Sequence, residues 1–404
     1  MGVHRHVNLA SYALGNVLKY RVRSTAVIVA LILSITLLCS VQFIHDGVVQ
    51  DVTCSMEEGP DIILQRLGGG RQVPLPVSWC DNISRTRGVR MATPRVWGYI
   101  DVGSGYLFTV MGINASDYGS AFGAVGTDII GDGRFLSSND TRKIVIGQGI
   151  VDMMAASAAS VQIHVGSKLS LIAYDDQLVE FEVVGVFSSK SKIFSYDLII
   201  TDMDSARRLL GVENGTCTDI AVWIEPGRDL NSVAFRLDNA MPEARVLTRD
   251  ALRDIALQTY GGRAGIIDLL WVVLIMTVVM LAFTVSSAGS DEARREVGLL
   301  KALGFDTVDV LEIRMFESMV LSLLGASLGV SIAIVYDFVL GAPLLAGYLL
   351  GWNLVLLNGG IPLLITPSAL FMVYAVAIVP VLVATVVPAW KNAITEPDIV
   401  LRGV

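Results

Sequence analysis

Few residues of this chain have the types and spacing that acid–base, metal or phosphate chemistry needs. Its four histidines are scattered: His4, His6, His45 and His164. None stands in the H-E-x-x-H context that binds zinc on a helix. The glycines Gly68–Gly70 lack the lysine and Ser/Thr of a phosphate-binding loop, and they predict a turn. The sequence therefore predicts no catalytic, cofactor-binding or metal-binding residue in this chain.

The four cysteines also give little scope for chemistry. They are too few in 404 residues for a disulfide framework, and no C-x-x-C spacing suggests a zinc or redox site. Cys54 and Cys80 could form a disulfide on the oxidising side of a membrane, which would leave Cys217 over. Free cysteines are the alternative.

The most distinctive charged stretch lies at 290–304 and reads Ser-Asp-Glu-Ala-Arg-Arg-Glu-Val-Gly-Leu-Leu-Lys-Ala-Leu-Gly. It follows an apolar run, 266–287, that is long enough to cross a bilayer. Helical spacing puts Val297 and Leu300 on one face. Gly304 is placed to end this helix in a left-handed cap, and Asp306 with Asp309 can start another helix that runs to Phe316. A solvated loop between two spans is the alternative.

Residues 294–304 of this stretch resemble the signature of the FtsX-like permeases, the family of the macrolide exporter MacB and the lipoprotein-release permeases. Further matches follow in the expected order at 316–317, 324–329, 388–393 and 397–402. In that family the helix corresponding to 291–303 docks on a separate ATPase subunit. The resemblance implies burial there of Val297, Leu299, Leu300 and Leu303. It implies polar rim contacts from Glu292, Arg294, Arg295 and Glu296.

Composition is that of a membrane protein. Hydrophobic residues make up 53% and charged residues 17%, with a mean hydropathy of +0.61. The net charge of -8 argues against nucleic acid as a partner, because nucleic-acid binders carry basic patches.

The first 24 residues contain four basic side chains and no acid: Arg5, Lys19, Arg21 and Arg23. Val7, Leu14 and Leu18, with Tyr12 nearby, recur near helical spacing, so we expect a basic amphipathic helix on the membrane surface. The apolar run that follows has no small-x-small cleavage site, which predicts a retained signal anchor. The positive-inside rule then places the N-terminus in the cytoplasm.

The predicted fold is a membrane protein with four transmembrane α-helices and one large α+β extracytoplasmic domain between the first and second spans. In order, we expect a cytoplasmic amphipathic helix (1–24), a first span (25–46), the extracytoplasmic domain (47–264), a second span (265–289), a coupling region (290–315), a third span (316–342), an outer loop (343–366), a fourth span (367–389) and a cytoplasmic tail (390–404). Arg314 and Glu317 are interpreted as interfacial anchors.

The third span contains Gly325-x-x-x-Gly329, a spacing that lets two helix backbones approach closely. Two partners are compatible with it: another span of this chain, or a second copy of the permease.

Short alternating segments between 61 and 187 predict half-buried strands in the extracytoplasmic domain. Segments 133–136, 143–147, 181–187 and 198–202 resemble the core domain of the MacB-type permeases in their order. Four of this domain's six asparagines begin Asn-x-Ser/Thr sequons: Asn82, Asn114, Asn139 and Asn214. Two explanations are open: the sequons are N-glycosylated, or they occur by chance in polar loops.

These observations predict a multi-pass protein of the cytoplasmic membrane that contacts lipid and pairs with a second permease copy or a paralogue. It would transmit ATP-driven motion from a separate ATPase subunit, which binds ATP and Mg, to the extracytoplasmic domain. The resemblance implies action on lipoproteins, peptides, drugs or envelope components. The alternatives are an FtsX-type regulator of an envelope hydrolase and a membrane-anchored receptor or sensor.

Overall fold

The computed structural model describes residues 2–57, 59–101, 107–118, 129–130, 133–156, 162–261, 264–287, 290–345 and 361–393. The chain divides into two compact units. The first, here called the helical unit, comprises Met1–Asp46, Arg263–Leu349 and Leu363–Val404. The second, here called the sheet unit, comprises Gly47–Gly262 and Leu350–Pro362.

The helices in chain order are α1 (Gly2–Lys19), α2 (Arg21–Glu57), α3 (Trp79–Ser84), α4 (Ala115–Tyr118), α5 (Gln148–Ala156), α6 (Lys192–Asp197), α7 (Met203–Leu210), α8 (Leu230–Ala240), α9 (Arg249–Gly261), α10 (Ala264–Ser287), α11 (Ser290–Ala302), α12 (Thr307–Phe338) and α13 (Pro367–Ala393). The strands are β1 (Ile62–Gly68), β2 (Arg71–Val73), β3 (Leu75–Pro76), β4 (Val89–Asp101), β5 (Leu107–Ile113), β6 (Ile129–Ile130), β7 (Lys143–Gly147), β8 (Lys168–Ile172), β9 (Leu178–Phe187), β10 (Leu198–Asp202), β11 (Thr216–Cys217), β12 (Asp219–Ile224) and β13 (Ala244–Thr248).

Three helices within the described residues are long and apolar enough to cross a membrane: Ser24–Glu57, Thr307–Phe338 and Pro367–Lys391. The predicted second span is also helical as α10, in which Leu269–Met280 forms a shorter apolar stretch. A membrane protein with a large α/β domain after its first span is therefore confirmed. The count of four spans stays a prediction.

Several predicted boundaries differ from the observed ones. The first helix of the membrane region continues past residue 46 to Glu57. The short helix expected to end at Phe316 and the span expected at 316–342 are one continuous helix, α12, because nothing between them breaks it. The last helix continues through Pro380 and Pro388 to Ala393.

The spans of the helical unit pack through small residues. Their core combines bulky side chains of α2, such as Phe43, with alanines of α12 and α13. At Gly325 a Cβ atom would lie 2.7 Å from the Cβ of Leu31, and at Gly329 it would lie 2.9 Å from the Cβ of Ile35. We call this pairing of Gly325 and Gly329 with Leu31 and Ile35 the glycine contact. Of the two partners predicted for these glycines, the structure places another span of the same chain against them.

The sheet unit is built on an 11-stranded mixed sheet with the order β13-β1-β12-β4-β5-β10-β7-β9-β6, to which β2 and β8 add as side pairs. Strand β10 pairs parallel with β5 and antiparallel with β7. Its Ile199 joins one buried cluster, while Leu198 and Ile200 join another. Because successive side chains point to opposite faces of a strand, both faces of the sheet are covered at this central strand.

Local sequence accounts for many of these elements. In β9, Val179, Phe181 and Val183 are buried while Glu180 and Glu182 are exposed, as period-two alternation requires. Gly69 and Gly70, at φ of +58° and +78°, form the two-residue turn between β1 and β2 that the sequence predicts.

A buried ion pair links two of the central strands, β4 and β12. Arg95 of β4 donates two hydrogen bonds of 2.7 Å to the carboxylate of Asp219 on β12. The indole of Trp97 donates a third bond to that carboxylate, at 2.9 Å. Such a fork-like pair fixes geometry as well as contributing attraction.

Candidate functional site

The helix that carries the signature ends in a tight turn before α12. Gly304 has φ of +92°, and Phe305 N–H donates back to the carbonyl of Leu300 at 3.1 Å. This closes α11 with the left-handed glycine cap that the sequence predicts. Asp306 then caps α12, and Asp309 accepts from the Asp306 N–H at 3.0 Å, which completes a capping box. The two helices are therefore joined by a short, hydrogen-bonded link.

One face of α11 is buried inside the chain. Val297 and Leu300 are 3% and 6% exposed, and they pack with Leu9 and Ala13 of α1 and with two residues of α12. Phe305 and Phe316 are partly buried and pack against this cluster. We call the packing of α1, α11 and the beginning of α12 the three-helix junction.

A charged group lies beside that apolar cluster. The guanidinium of Arg314 donates to Glu296 of α11 at 2.9 Å and to Glu317 of its own helix at 2.7 Å. These three side chains are only 10–14% exposed. One cation between two carboxylates leaves an excess negative charge, so the carboxylate oxygens need further hydrogen-bond donors in place of water.

The donors come from α1. Asn16 donates to the second oxygen of Glu317 at 2.8 Å, and the hydroxyl of Tyr12 donates to Glu296 at 3.2 Å. Burial, together with the Glu296 carboxylate, raises the pKa of Tyr12, so its hydroxyl keeps its proton as a donor. At the exposed end of the junction, Arg5 pairs with Asp309. The N-terminal helix is thus bound to the signature helix and to α12 by polar and apolar contacts together.

The residues expected to dock a partner fall into three groups. Val297 and Leu300, expected to be buried against the ATPase, are buried inside the junction instead. Glu296, expected to make a polar contact at the rim, is paired with Arg314. Leu299 and Leu303 are 60% and 69% exposed. The side chains of three remaining residues lie outside the described part of the chain: Glu292, Arg294 and Arg295.

Arg314 and Glu317, which the sequence interprets as interfacial anchors, pair with each other inside the junction, where their side chains are 14% and 11% exposed. Sequence reasoning also missed the inward face of α1. Leu9, Ala13 and Asn16 recur at helical spacing opposite Val7, Leu14 and Leu18, and this second stripe was the available signal. Val7, Leu14 and Leu18, which the sequence predicts to face the membrane surface, are 56%, 50% and 65% exposed.

A buried carboxylate in α12 was also missed. Asp337 is 1% exposed, and Ser40 of α2 is fully buried. An ionisable side chain buried in a span is a candidate functional group because its desolvation is costly. A lone acid near the end of an apolar run was the signal for it.

The remaining candidates for chemistry are possible metal ligands and the cysteines. No group of three or more His, Cys, Asp or Glu side chains that could hold a metal is found among the described residues. All four cysteines are free, including Cys54 and Cys80 of the candidate disulfide. Burial raises the pKa of Cys80 and of Cys217 to about 12, so both stay thiols at neutral pH.

Two family models match this sequence, and together they span most of the chain. A model of the MacB-like periplasmic core domain matches residues 24–240, and a model of the FtsX-like permease C-terminal region matches residues 269–397. The chain belongs to the MacB/FtsX-type family of ABC transporter permeases.

A curated relative agrees with this assignment. The chain is 28% identical over 227 residues to an uncharacterized ABC transporter permease of Methanocaldococcus jannaschii. The match spans 53% of this chain and 52% of that relative, so the chain covers about half the length of the curated relative.

Two solved structures resemble the chain. One is the periplasmic region of MacB from Actinobacillus actinomycetemcomitans, with 16% identity and a TM-score of 0.35 over 50% of this chain and 94% of that one. The other is the extracellular domain of the noncanonic transporter YknZ from Gram-positive bacteria, with 15% identity and a TM-score of 0.33 over 46% of this chain and 99% of that one. Neither TM-score reaches 0.5, so the family assignment rests on the sequence models.

Proposed function

We propose that this chain is the permease subunit of an ABC transporter and that it transmits motion from a separate ATPase subunit to an extracytoplasmic domain. The observation that carries the proposal is the three-helix junction. It joins α11 to α12 through an apolar cluster and the Arg314–Glu296 ion pair, and it leaves Leu299 and Leu303 exposed on the signature helix. Family membership supports the same function.

The ATPase would bind at the exposed face of α11. Leu299 and Leu303 are four residues apart, and Leu303 N–H donates to the carbonyl of Leu299 at 3.1 Å, so both side chains lie on one face. Full burial of a leucine contributes roughly 1.5–3 kcal/mol, enough for two residues to dominate a small docking surface. ATP and Mg would be bound by the partner and not by this chain.

Force applied to α11 would reach the spans through stiff links. The turn at Gly304 and the capping box at Asp306 make the connection between α11 and α12 short and hydrogen-bonded. Arg314 ties the two helices side by side, and α12 continues without a break to Phe338. The glycine contact then couples α12 to α2 through direct packing. A push on the signature helix would therefore move two spans together.

The proposed orientation places α1 and α11 in the cytoplasm and the sheet unit on the other side of the membrane. Four basic residues and no acid precede the first span, which supports this direction. The match to a periplasmic core domain supports it independently. Lipoproteins, peptides, drugs and envelope components remain the proposed classes of substrate, and a second copy or a paralogue remains the proposed permease partner.

Copurification tests the proposal. A tagged permease would be expressed with the ATPase encoded in the same genome, and retention of the ATPase would be compared among variants. Leu299→Asp and Leu303→Asp should each lower retention at least tenfold. Phe235→Asp is the matched control, because Phe235 is 70% exposed on α8 of the sheet unit. Equal retention by all three variants and the unaltered chain would contradict docking through α11.

A further inference from the structure

The sequons are distributed unevenly between the two units. All four sequon asparagines belong to the sheet unit: Asn82, Asn114, Asn139 and Asn214. The chain has seven other asparagines, and none of them begins a sequon: Asn8, Asn16, Asn231, Asn239, Asn353, Asn358 and Asn392. The motif is thus confined to the part that the proposed orientation places outside the cytoplasm, the side on which N-linked glycans are displayed.

The surface placement of the sequons is also consistent with N-glycosylation. All four asparagine side chains are exposed. The hydroxyl-bearing residue two positions later is exposed at Ser84, Ser116 and Thr141 and half-buried at Thr216. A transferase must reach both side chains of the sequon, and here no sequon is enclosed in the core.

Two of the sequons lie in reverse turns. Asn139 lies in the turn closed by the hydrogen bond from Asp140 N–H to the carbonyl of Ser137, at 2.9 Å. Asn214 lies in the turn between Glu213 and Thr216, next to a glycine in the left-handed region. Exposed turns project from the surface and can enter another protein's cleft with little unfolding.

The asparagines of the other two sequons are held by more structure. Asn114 follows β5; its amide accepts from the hydroxyl of Ser116 at 2.9 Å and donates to Asp117 at 3.0 Å. The Asp117 contact must break before the amide nitrogen can react. Asn82 lies inside helix α3, whose backbone would have to open for a cleft to accept it. The expected order of occupancy is Asn139 and Asn214 first, then Asn114, then Asn82.

We propose that the sheet unit is N-glycosylated, with Asn139 and Asn214 as the principal sites. The donor would be an oligosaccharide attached to a polyisoprenyl phosphate or pyrophosphate lipid. In the transfer, the bond between the sugar C1 and the phosphate oxygen breaks, and a bond between C1 and the asparagine Nδ2 forms. The lipid phosphate leaves with the electron pair, and the amide nitrogen loses one proton to a base. The proposal rests on the orientation given under the proposed function.

Mass spectrometry of the full chain tests the proposal. The protein would be purified from membranes of the cells that naturally produce it, and both intact mass and glycopeptides would be measured. The expected mass exceeds that of the polypeptide by at least two glycans. Asn139→Gln, Thr141→Ala, Asn214→Gln and Thr216→Ala should each remove one glycan. The matched controls Asn231→Gln and Asn239→Gln change exposed asparagines of the same unit outside sequons and should remove none.

A second measurement separates the inference from the orientation on which it rests. Lys168 has 70% of its side chain exposed on the sheet unit, so an amine reagent that does not cross membranes should label it in intact cells. Labelling without any glycan would overturn the glycosylation proposal and leave the orientation standing. Absence of both labelling and glycans would overturn the orientation as well. Glycans that persist in the Thr141→Ala and Thr216→Ala variants would refute attachment at these two sequons.

Discussion

The glycine contact and the three-helix junction both join the N-terminal helices to α12, but they are built in opposite ways. At the glycine contact, Gly325 and Gly329 have no side chains, so α12 can approach Leu31 and Ile35 of α2 closely. At the junction, Arg314 donates to Glu296 and Glu317 beside an apolar cluster, and Asn16 of α1 donates to Glu317.

The difference follows from the surroundings of each contact. Lipid is as apolar as leucine, so spans gain little from burying apolar surface and associate instead through close backbone packing. The junction lies at the end of α12 that carries the capping box, where ion pairs and burial can both contribute. The glycine contact should therefore be damaged by adding atoms, and the junction by removing them.

The largest effect is expected for Gly325→Leu. A Cβ at this position meets the Cβ of Leu31 at 2.7 Å, and neither atom can swing away because both are fixed to backbones. We expect the loss of more than about 3 kcal/mol of stability, beyond the usual cost of overpacking. The readout is the thermal unfolding midpoint in detergent. Gly15→Leu is the control, since a Cβ there meets nothing within 4 Å; equal midpoints for both variants would show that α2 does not pack here.

The second effect is expected for Arg314→Met, which leaves Glu296 and Glu317, at 10% and 11% exposure, without the cation that they share. Breaking a buried pair costs about 3–5 kcal/mol, and partial exposure puts this case at about 3 kcal/mol. The triple variant that adds Glu296→Gln and Glu317→Gln removes the unpaired charges and should recover most of the loss. If the triple variant unfolds as early as Arg314→Met, charge is not what holds the junction together.

The smallest effect is expected for Arg5→Ala. Its partner Asp309 is buried, but the Arg5 side chain is 62% exposed, so solvent screens the pair. We expect a loss of less than about 1 kcal/mol, with the capping box at Asp309 unaffected. Urea unfolding of the solubilised protein measures it. A loss as large as that of Arg314→Met would mean that the exposed edge of the junction contributes as much as its centre.

Features with local causes could be predicted from the sequence. Gly304 ends α11 and Asp306 with Asp309 begins α12 because a cap depends on residues within one turn. Strand β9 was predicted because two-residue alternation within one segment is enough to show it.

Features that depend on distant partners could not be predicted in this way. Helix α1 has two stripes at helical spacing, and only its packing on α11 and α12 decides that Leu9 and Ala13 face inward. Arg314 near the start of an apolar run is typical of an interfacial anchor. Its real partners include a glutamate 18 residues earlier, and an asparagine 301 residues from Glu317 completes the group. No local pattern reveals such an arrangement.

Site-specific photo-crosslinking tests the central claim most directly. A photoreactive amino acid would replace Leu303 in one variant and Leu300 in another, and each permease would be irradiated with its ATPase. The account predicts an adduct with the ATPase from position 303, which is 69% exposed, and none from position 300, which is 6% exposed. An adduct from position 300 that equals or exceeds the one from position 303, or no adduct from position 303, would contradict it.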